Sequence, residues 1–154
     1  MRQLEHRIPP PVVALLTALA MWLVTRLPTP LPLSLPFAAR IAVAMVLATL
    51  GVAFAVAGVL AFRAARTTVN PITPEAATAL VRTGVYRLTR NPMYLGLLLC
   101  LTAWAVWLTN LLSFCVLPAF VAYMNRFQIG PEERALRARF GREFEEFAAR
   151  VRRW

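Results

Sequence analysis

The chain has 154 residues, a length typical of one domain, and 59% of them are hydrophobic, which excludes an ordinary soluble composition. All 17 basic residues behind the net charge of +10 are arginines, and they cluster at the ends of apolar runs. This placement indicates membrane topology rather than nucleic-acid binding. The single histidine, His6, and two cysteines lack metal-ligand spacing, so no metal site is predicted.

Two apolar runs occupy the first part of the chain. Residues 8–27 open with three prolines, which a helix tolerates at its start, and no small-residue cleavage pattern follows. We therefore predict a transmembrane helix there rather than a cleaved signal peptide. After a proline-rich loop, residues 40–62 predict a second transmembrane helix, in which Gly51 and Gly58 allow close contact with another helix.

A polar segment, residues 63–91, leads into a run without charge that reaches residue 125. One helix of that length would measure about 50 Å, too long for a single crossing of a hydrocarbon core about 30 Å thick. Thr109 and Asn110 form the polar break near its middle, which favours two antiparallel helices joined by a tight turn. The predicted helices are residues 92–109 and 111–126.

The start of the third predicted helix has several features of a ligand site. Pro92 is favoured in a first helical turn, and Asn91 is favoured as the N-cap before it. The free N–H groups at the start of a helix can donate hydrogen bonds to a ligand carboxylate. Tyr86 and Tyr94 flank this junction, although tyrosines are also common at membrane interfaces for purely structural reasons.

Residues 131–154 predict an amphipathic tail helix that lies along the membrane surface or packs under the bundle. Its apolar side chains recur at spacings of three or four residues. They are Leu136, Phe140, Phe144, Phe147 and Val151.

Together these elements predict a single all-α integral membrane domain with about four transmembrane helices, a C-terminal helical hairpin and a tail helix. With that topology, 15 of the 17 arginines lie on one side of the membrane. The positive-inside rule makes this side cytoplasmic, so we expect an inner-membrane protein with both termini in the cytoplasm. The hairpin then returns the chain to its starting side, which brings Tyr94 close to Glu132. The acids of the Glu132-Glu133 pair are also favourable at a helix start for electrostatic reasons alone.

These motifs, taken in order, resemble the isoprenylcysteine carboxyl methyltransferase and phospholipid methyltransferase superfamily of membrane enzymes, in a bacterial form. Each piece is weak alone, but the combination is specific and covers roughly the second half of the chain. The matching motifs are Leu80-Val81-x-x-Gly84-x-Tyr86, Arg90-Asn91-Pro92-x-Tyr94-x-Gly96, Glu132-Glu133-x-x-Leu136, Phe140-Gly141-x-x-Phe144 and Arg150-Val151.

The resemblance implies methyl transfer from S-adenosylmethionine to a lipid or lipophilic small molecule at the cytoplasmic face, on a carboxylate or an amine. Gln128 stands where the isoprenylcysteine enzymes have a substrate-binding arginine, so Arg126 is the nearest substitute. Glu133 is the candidate base for an amine acceptor. The cofactor-binding residues implied by the motifs are Thr78, Ala79, Leu80, Val81, Tyr86, Asn91, Pro92, Met93, Tyr94 and Glu132.

Two other functions are compatible with this sequence. Some membrane sterol reductases share a related nucleotide pocket, so an NADPH-dependent reductase-like protein is one alternative, although those enzymes have many more helices. A non-enzymatic four-helix membrane partner is the other, and it predicts that Tyr94 and Glu132 tolerate substitution. The atom that is methylated and the oligomeric state stay open.

The arginine distribution generates a topology prediction. Reporter fusions after residue 1 and after residue 154 should both give cytoplasmic signals, because the arginine-rich side is retained there. A periplasmic signal from either fusion would contradict four crossings.

Overall fold

The computed structural model describes residues 8–28, 31–65 and 79–154, and within these ranges the regular structure is helical, with no named strand. Residues 66–78, and with them Thr78, lie outside the described residues. The elements in chain order are α1 (Pro10–Val24), α2 (Phe37–Ala64), a 3-10 helix (Gly84–Arg87), α3 (Pro92–Leu108), α4 (Leu111–Phe114), α5 (Leu117–Met124), a π-helical turn (Asn125–Ile129), α6 (Gly130–Phe140) and α7 (Arg142–Arg150).

Among the described residues, two helices are long and apolar enough to cross a membrane. They are α2 and the helical run Leu111–Phe140, which joins α4, α5, the π-helical turn and α6. The helices α1 and α3 are apolar but have 15 and 17 residues. At about 1.5 Å per residue they measure about 22 and 26 Å, somewhat less than a hydrocarbon core. The all-helical class is confirmed for these parts of the chain, whereas the number of four crossings stays a prediction.

The helices α2 and α3 pack with their backbones in close contact. A Cβ atom added at Gly51 would lie 2.7 Å from the Gly96 carbonyl oxygen, and one added at Gly96 would lie 2.5 Å from the Gly51 oxygen. Helices in a lipid environment associate through such tight van der Waals contact, since lipid tails are as apolar as side chains. The small residues predicted to face a neighbouring helix therefore do so.

The chain reverses direction at the predicted turn. Thr109 ends α3 in the left-handed conformation, with a φ of 50°. The Asn110 side chain then accepts a hydrogen bond of 2.9 Å from the Leu112 amide and caps α4. The proline-rich loop before α2 packs against this turn, because the Leu33 amide donates to the Thr109 carbonyl at 2.9 Å. The turn prediction is confirmed.

The helix that follows this turn does not end near residue 126 as the sequence predicts. It continues through the π-helical turn into α6, and the Gly130 amide donates to the Asn125 carbonyl five residues earlier. A proline inside an ordinary α-helix lacks an N–H and clashes with the preceding turn. The wider π-helical turn just ahead of Pro131 relieves this conflict, so the helix passes the proline instead of stopping.

The tail predicted as one helix over residues 131–154 is divided. Gly141 has a φ of 50°, a conformation that glycine adopts readily, and it separates α6 from α7. Residues 151–154 then leave the helix in an extended path. The apolar face of α7 packs as expected, since Phe144 and Phe147 are buried against the segment that contains Tyr86.

The tight α2–α3 contact predicts unequal effects of two Gly→Ala substitutions. Gly96→Ala should lower the free energy of unfolding by about 1–3 kcal/mol, because its Cβ meets rigid backbone. Gly58→Ala is the comparison variant, since its Cβ meets side-chain atoms, Met93 Cγ at 2.9 Å and Pro92 Cγ at 3.2 Å, rather than a backbone carbonyl oxygen. Both changes gain the same helix propensity, so thermal unfolding in detergent measures the difference. Equal stability of the two variants would contradict this packing.

Candidate cofactor-binding site

Tyr94 and Glu132 meet at the centre of the candidate site. Tyr94 is buried in the first turn of α3, and Glu132 is half-buried in the first turn of α6. The Tyr94 hydroxyl donates a hydrogen bond to the Glu132 Oε1 atom. The proximity expected from the hairpin is therefore present in the structure.

Tyr86 lies beside this pair. It is buried in the 3-10 helix, and its ring packs edge-on against Phe62 with 5.4 Å between ring centroids. Burial raises the pKa of the Tyr86 hydroxyl above its usual value, and the negative charge of Glu132 raises it further. The hydroxyl consequently keeps its proton at neutral pH and is available as a hydrogen-bond donor next to a carboxylate.

The helix start at Asn91 and Pro92 is confirmed, but the Asn91 side chain does not cap the helix. Its Nδ2 atom instead donates to the Arg153 carbonyl at 2.9 Å, while its amide donates to the Thr89 hydroxyl at 3.1 Å. The first N–H groups of a helix have no acceptor within the helix, so those of α3 can serve an external anion.

Glu133 contacts two arginines. Its Oε1 atom lies 3.0 Å from Arg153 Nε and 3.2 Å from Arg90 Nη1, and its Oε2 atom lies 2.6 Å from Arg153 Nη2. Burial lowers the pKa of Arg90, Glu133 opposes that change, and the charges of Arg153 and Arg137 add to it. A role for Glu133 as a catalytic base would require its release from both guanidinium groups.

The remaining predicted cofactor residues surround this centre in different ways. Leu80 and Val81, which follow Ala79, belong to an apolar cluster with Tyr86. Pro92 is buried at the start of α3, and Met93 beside it lines a cavity described below.

Arg126 is not part of this group. Its side chain is exposed, and its guanidinium carbon lies 5.9 Å from the centre of the Phe127 ring. Gln128, two residues later, is buried and donates to the Ile8 carbonyl at 2.8 Å. The position at which the isoprenylcysteine enzymes have an arginine therefore connects the chain ahead of α1 to the π-helical turn.

An apolar cavity of about 520 Å³ lies between α1, α2 and α3. Val59 and Leu97 contribute to its apolar walls, and Arg63 is the charged residue among those that line it. Tyr94 also lines this cavity, so one residue borders both the cavity and the polar site around Glu132. A pocket of this size with a few polar groups is typical of small-molecule binding.

Sequence reasoning missed Arg153 and the pairing role of Arg90. Helical periodicity carries no information about residues 151–154, because they are extended rather than helical. The signal available in the sequence is a pair of arginines, Arg152 and Arg153, directly after the motif residue Val151.

A family model for phospholipid methyltransferases matches residues 39–143, which is more than half of the chain and includes all of the predicted site residues. The chain belongs to the phospholipid methyltransferase family. Family membership indicates a membrane methyltransferase of the phospholipid and isoprenylcysteine type.

Individual relatives of this chain match shorter regions. An uncharacterized protein of Haemophilus influenzae is 45% identical over 62 residues, which are 40% of this chain and 98% of that protein. A probable protein-S-isoprenylcysteine O-methyltransferase of Oryza sativa subsp. indica is 44% identical over 75 residues, which are 47% of this chain but only 38% of the rice protein. No solved structure matches the chain significantly.

Proposed function

We propose that this chain transfers a methyl group from S-adenosylmethionine to a lipophilic acceptor at the cytoplasmic face of the membrane. The observation that carries this proposal is the position of Tyr94 between two unlike spaces. Its hydroxyl contacts Glu132 in a polar site, and its side chain also lines the apolar cavity. A methyltransferase for a lipophilic acceptor needs a polar cofactor site and an apolar acceptor site that meet at one point.

The chemistry of the polar side fits the cofactor. The free N–H groups at the start of α3 suit its carboxylate. Glu132 can accept hydrogen bonds from its ribose hydroxyls or its ammonium group, and Tyr86 and Tyr94 offer aromatic rings to a cation. When bound, S-adenosylmethionine would supply a methyl group attached to a positively charged sulfur. A lone pair of the acceptor would form the new bond to the methyl carbon, and the electron pair of the broken C–S bond would stay on the sulfur.

The apolar side fits an acceptor that has a hydrocarbon chain and an anionic group. Arg63 lines the cavity and forms no ion pair with another described residue, so it can neutralise an acceptor carboxylate. A carboxylate needs no base before methylation, whereas a protonated amine does. Because Glu133 is bound by two arginines, we favour a carboxylate acceptor.

Family membership supports methyl transfer over the NADPH-dependent alternative. The polar site beside the cavity also argues against a purely structural membrane partner, since that function requires no such site. Both alternatives nevertheless make distinct predictions for cofactor binding, which the following experiment separates.

Glu132→Gln should weaken S-adenosylmethionine binding about ten- to a hundredfold, because one charged hydrogen bond contributes about 1.5–3 kcal/mol. Tyr94→Phe should weaken it about fivefold, through loss of a single neutral hydrogen bond of about 1 kcal/mol. Calorimetric titration of the purified protein in detergent measures both effects.

The matched control for this titration is Glu146→Gln, which removes an exposed carboxylate that pairs with the exposed Arg142 at 3.7 Å. Its affinity should equal that of the wild type. A wild-type protein that binds NADPH but not S-adenosylmethionine supports the reductase alternative. Binding of neither compound supports the structural alternative.

The cavity generates a prediction about the acceptor. Dodecanoate should be methylated in preference to dodecylamine, which has the same chain length, because Arg63 attracts the carboxylate and repels the ammonium group. Arg63→Gln should raise the KM for dodecanoate about tenfold, through loss of one charged hydrogen bond, and leave cofactor affinity unchanged. Transfer of labelled methyl groups measures both results.

Arg87→Gln is the control for the loss of one positive charge, since Arg87 is exposed and does not line the cavity. Val59→Phe, which fills the cavity, should also raise the KM for dodecanoate. A preference for dodecylamine, or an equal effect of Arg63→Gln and Arg87→Gln, would refute this assignment of the cavity.

A further inference from the structure

Residues 151–154, which we term the strap, run from the end of α7 across the candidate site. The backbone leaves α7 at Val151, which has extended angles of φ −118° and ψ 132°. These residues lie outside the region matched by the family model, which ends at residue 143. Neither the family match nor the sequence motifs assign a role to Arg153.

One edge of the strap bonds to the segment that leads into α3. The Arg152 carbonyl accepts a hydrogen bond of 2.9 Å from the Arg90 amide. The Arg153 carbonyl accepts two more, from the Thr89 hydroxyl at 3.1 Å and from the Asn91 side chain at 2.9 Å. Three bonds therefore fix the strap to the residues directly before the helix start that we assign to the cofactor.

The other contacts of the strap reach the opposite wall of the site. The Arg153 guanidinium makes two hydrogen bonds to Glu133, at 3.0 and 2.6 Å. The Trp154 indole donates to the Asn125 side chain at 2.9 Å, and its ring packs against the apolar core. The strap thus joins the start of α3 to the π-helical turn and to the first turn of α6.

Arg153 is the strap residue that contacts both the segment before α3 and the first turn of α6. Its backbone carbonyl bonds to the α3 side, and its side chain bonds to Glu133 in α6. Glu133 is adjacent to Glu132 in sequence, so a fixed Glu133 also limits the position of Glu132 relative to Tyr94. Precise placement of such groups determines how well a site binds its ligand.

Arg153 also affects the charge of the site. Two neighbouring carboxylates repel each other, and each opposes ionisation of the other. The guanidinium groups of Arg153 and Arg90 both contact Glu133, whereas Glu132 accepts a hydrogen bond from the Tyr94 hydroxyl. A cationic ligand beside Tyr94 would therefore meet the Glu132 carboxyl group rather than the arginine-bound Glu133.

We propose that Arg153 is a positioning residue that sets the affinity of the site for S-adenosylmethionine by fixing Glu133 and the start of α3. This inference rests on the proposed function. Arg153 lies outside the matched family region. The step on which we place it is cofactor binding, not acceptor binding.

The test compares substitutions at neighbouring arginines. Arg153→Ala should raise the Kd for S-adenosylmethionine about tenfold or more, because the charged, two-point contact with Glu133 is lost. Arg153→Lys should give a smaller loss, since lysine keeps the charge without the paired geometry. Arg152→Ala is the matched control, because Arg152 is exposed and takes part through its carbonyl, which alanine retains.

A second readout separates positioning from general stabilisation. The KM for dodecanoate should stay unchanged in Arg153→Ala, since Arg153 is not among the residues that line the cavity. In a Glu133→Gln background, Arg153→Ala should add little further loss of cofactor affinity, because the two residues act as a pair. If Arg153→Ala does not fold, the comparison of Arg153→Lys with Arg152→Ala decides the question.

The outcomes are distinct. Failure of the wild-type protein to bind S-adenosylmethionine overturns the proposed function and this inference with it. Wild-type binding that is equally strong in Arg153→Ala and Arg152→Ala overturns the strap inference alone. A lower melting temperature of Arg153→Ala with an unchanged Kd also overturns it, because the contact would then only stabilise the fold.

Discussion

The reversal of the chain at Thr109 and Asn110 brings the two halves of the candidate site together. A charge-free run longer than one membrane crossing has to turn, and the left-handed Thr109 and the Asn110 cap provide that turn with two residues. The short connection makes the flanking helices neighbours. Residues before the first helix and after the second then meet at the same end, where Tyr94 contacts Glu132.

Close packing of α2 on α3 holds the start of α3, and with it Tyr94, in a fixed position. The backbones approach at Gly51 and Gly96, and α2 continues to Arg63, on the side of the bundle where α3 begins. The same geometry leaves an apolar space between α1, α2 and α3 next to Tyr94. A polar site and an apolar cavity therefore share one wall as a consequence of helix packing, not of a special loop.

The candidate site is held by charge as well as by packing. Glu132 and Glu133 are neighbours, yet their surroundings differ, because one meets a tyrosine hydroxyl and the other meets two guanidinium groups. The two acids are consequently suited to different tasks. Glu133 is bound within the protein, whereas Glu132 faces the region in which the proposed cofactor would lie.

The features that depend on residues close together in the chain are predictable from the amino-acid sequence. The helical class, the start of α3 at Pro92 and the turn at Thr109 follow from local composition, capping preference and helix length, and the ordered motifs indicated the family. The partners of Asn91 and Glu133 depend on the tertiary fold, because each bonds to Arg153, which lies 62 and 20 residues away. The passage of the helix past Pro131 rests on the π-helical turn ahead of it, and the break at Gly141 rests on the positive φ of that glycine, neither of which the apolar periodicity of the tail encodes. Local patterns predict where helices begin and turn, but side-chain partners are chosen by proximity in space, which periodicity does not encode.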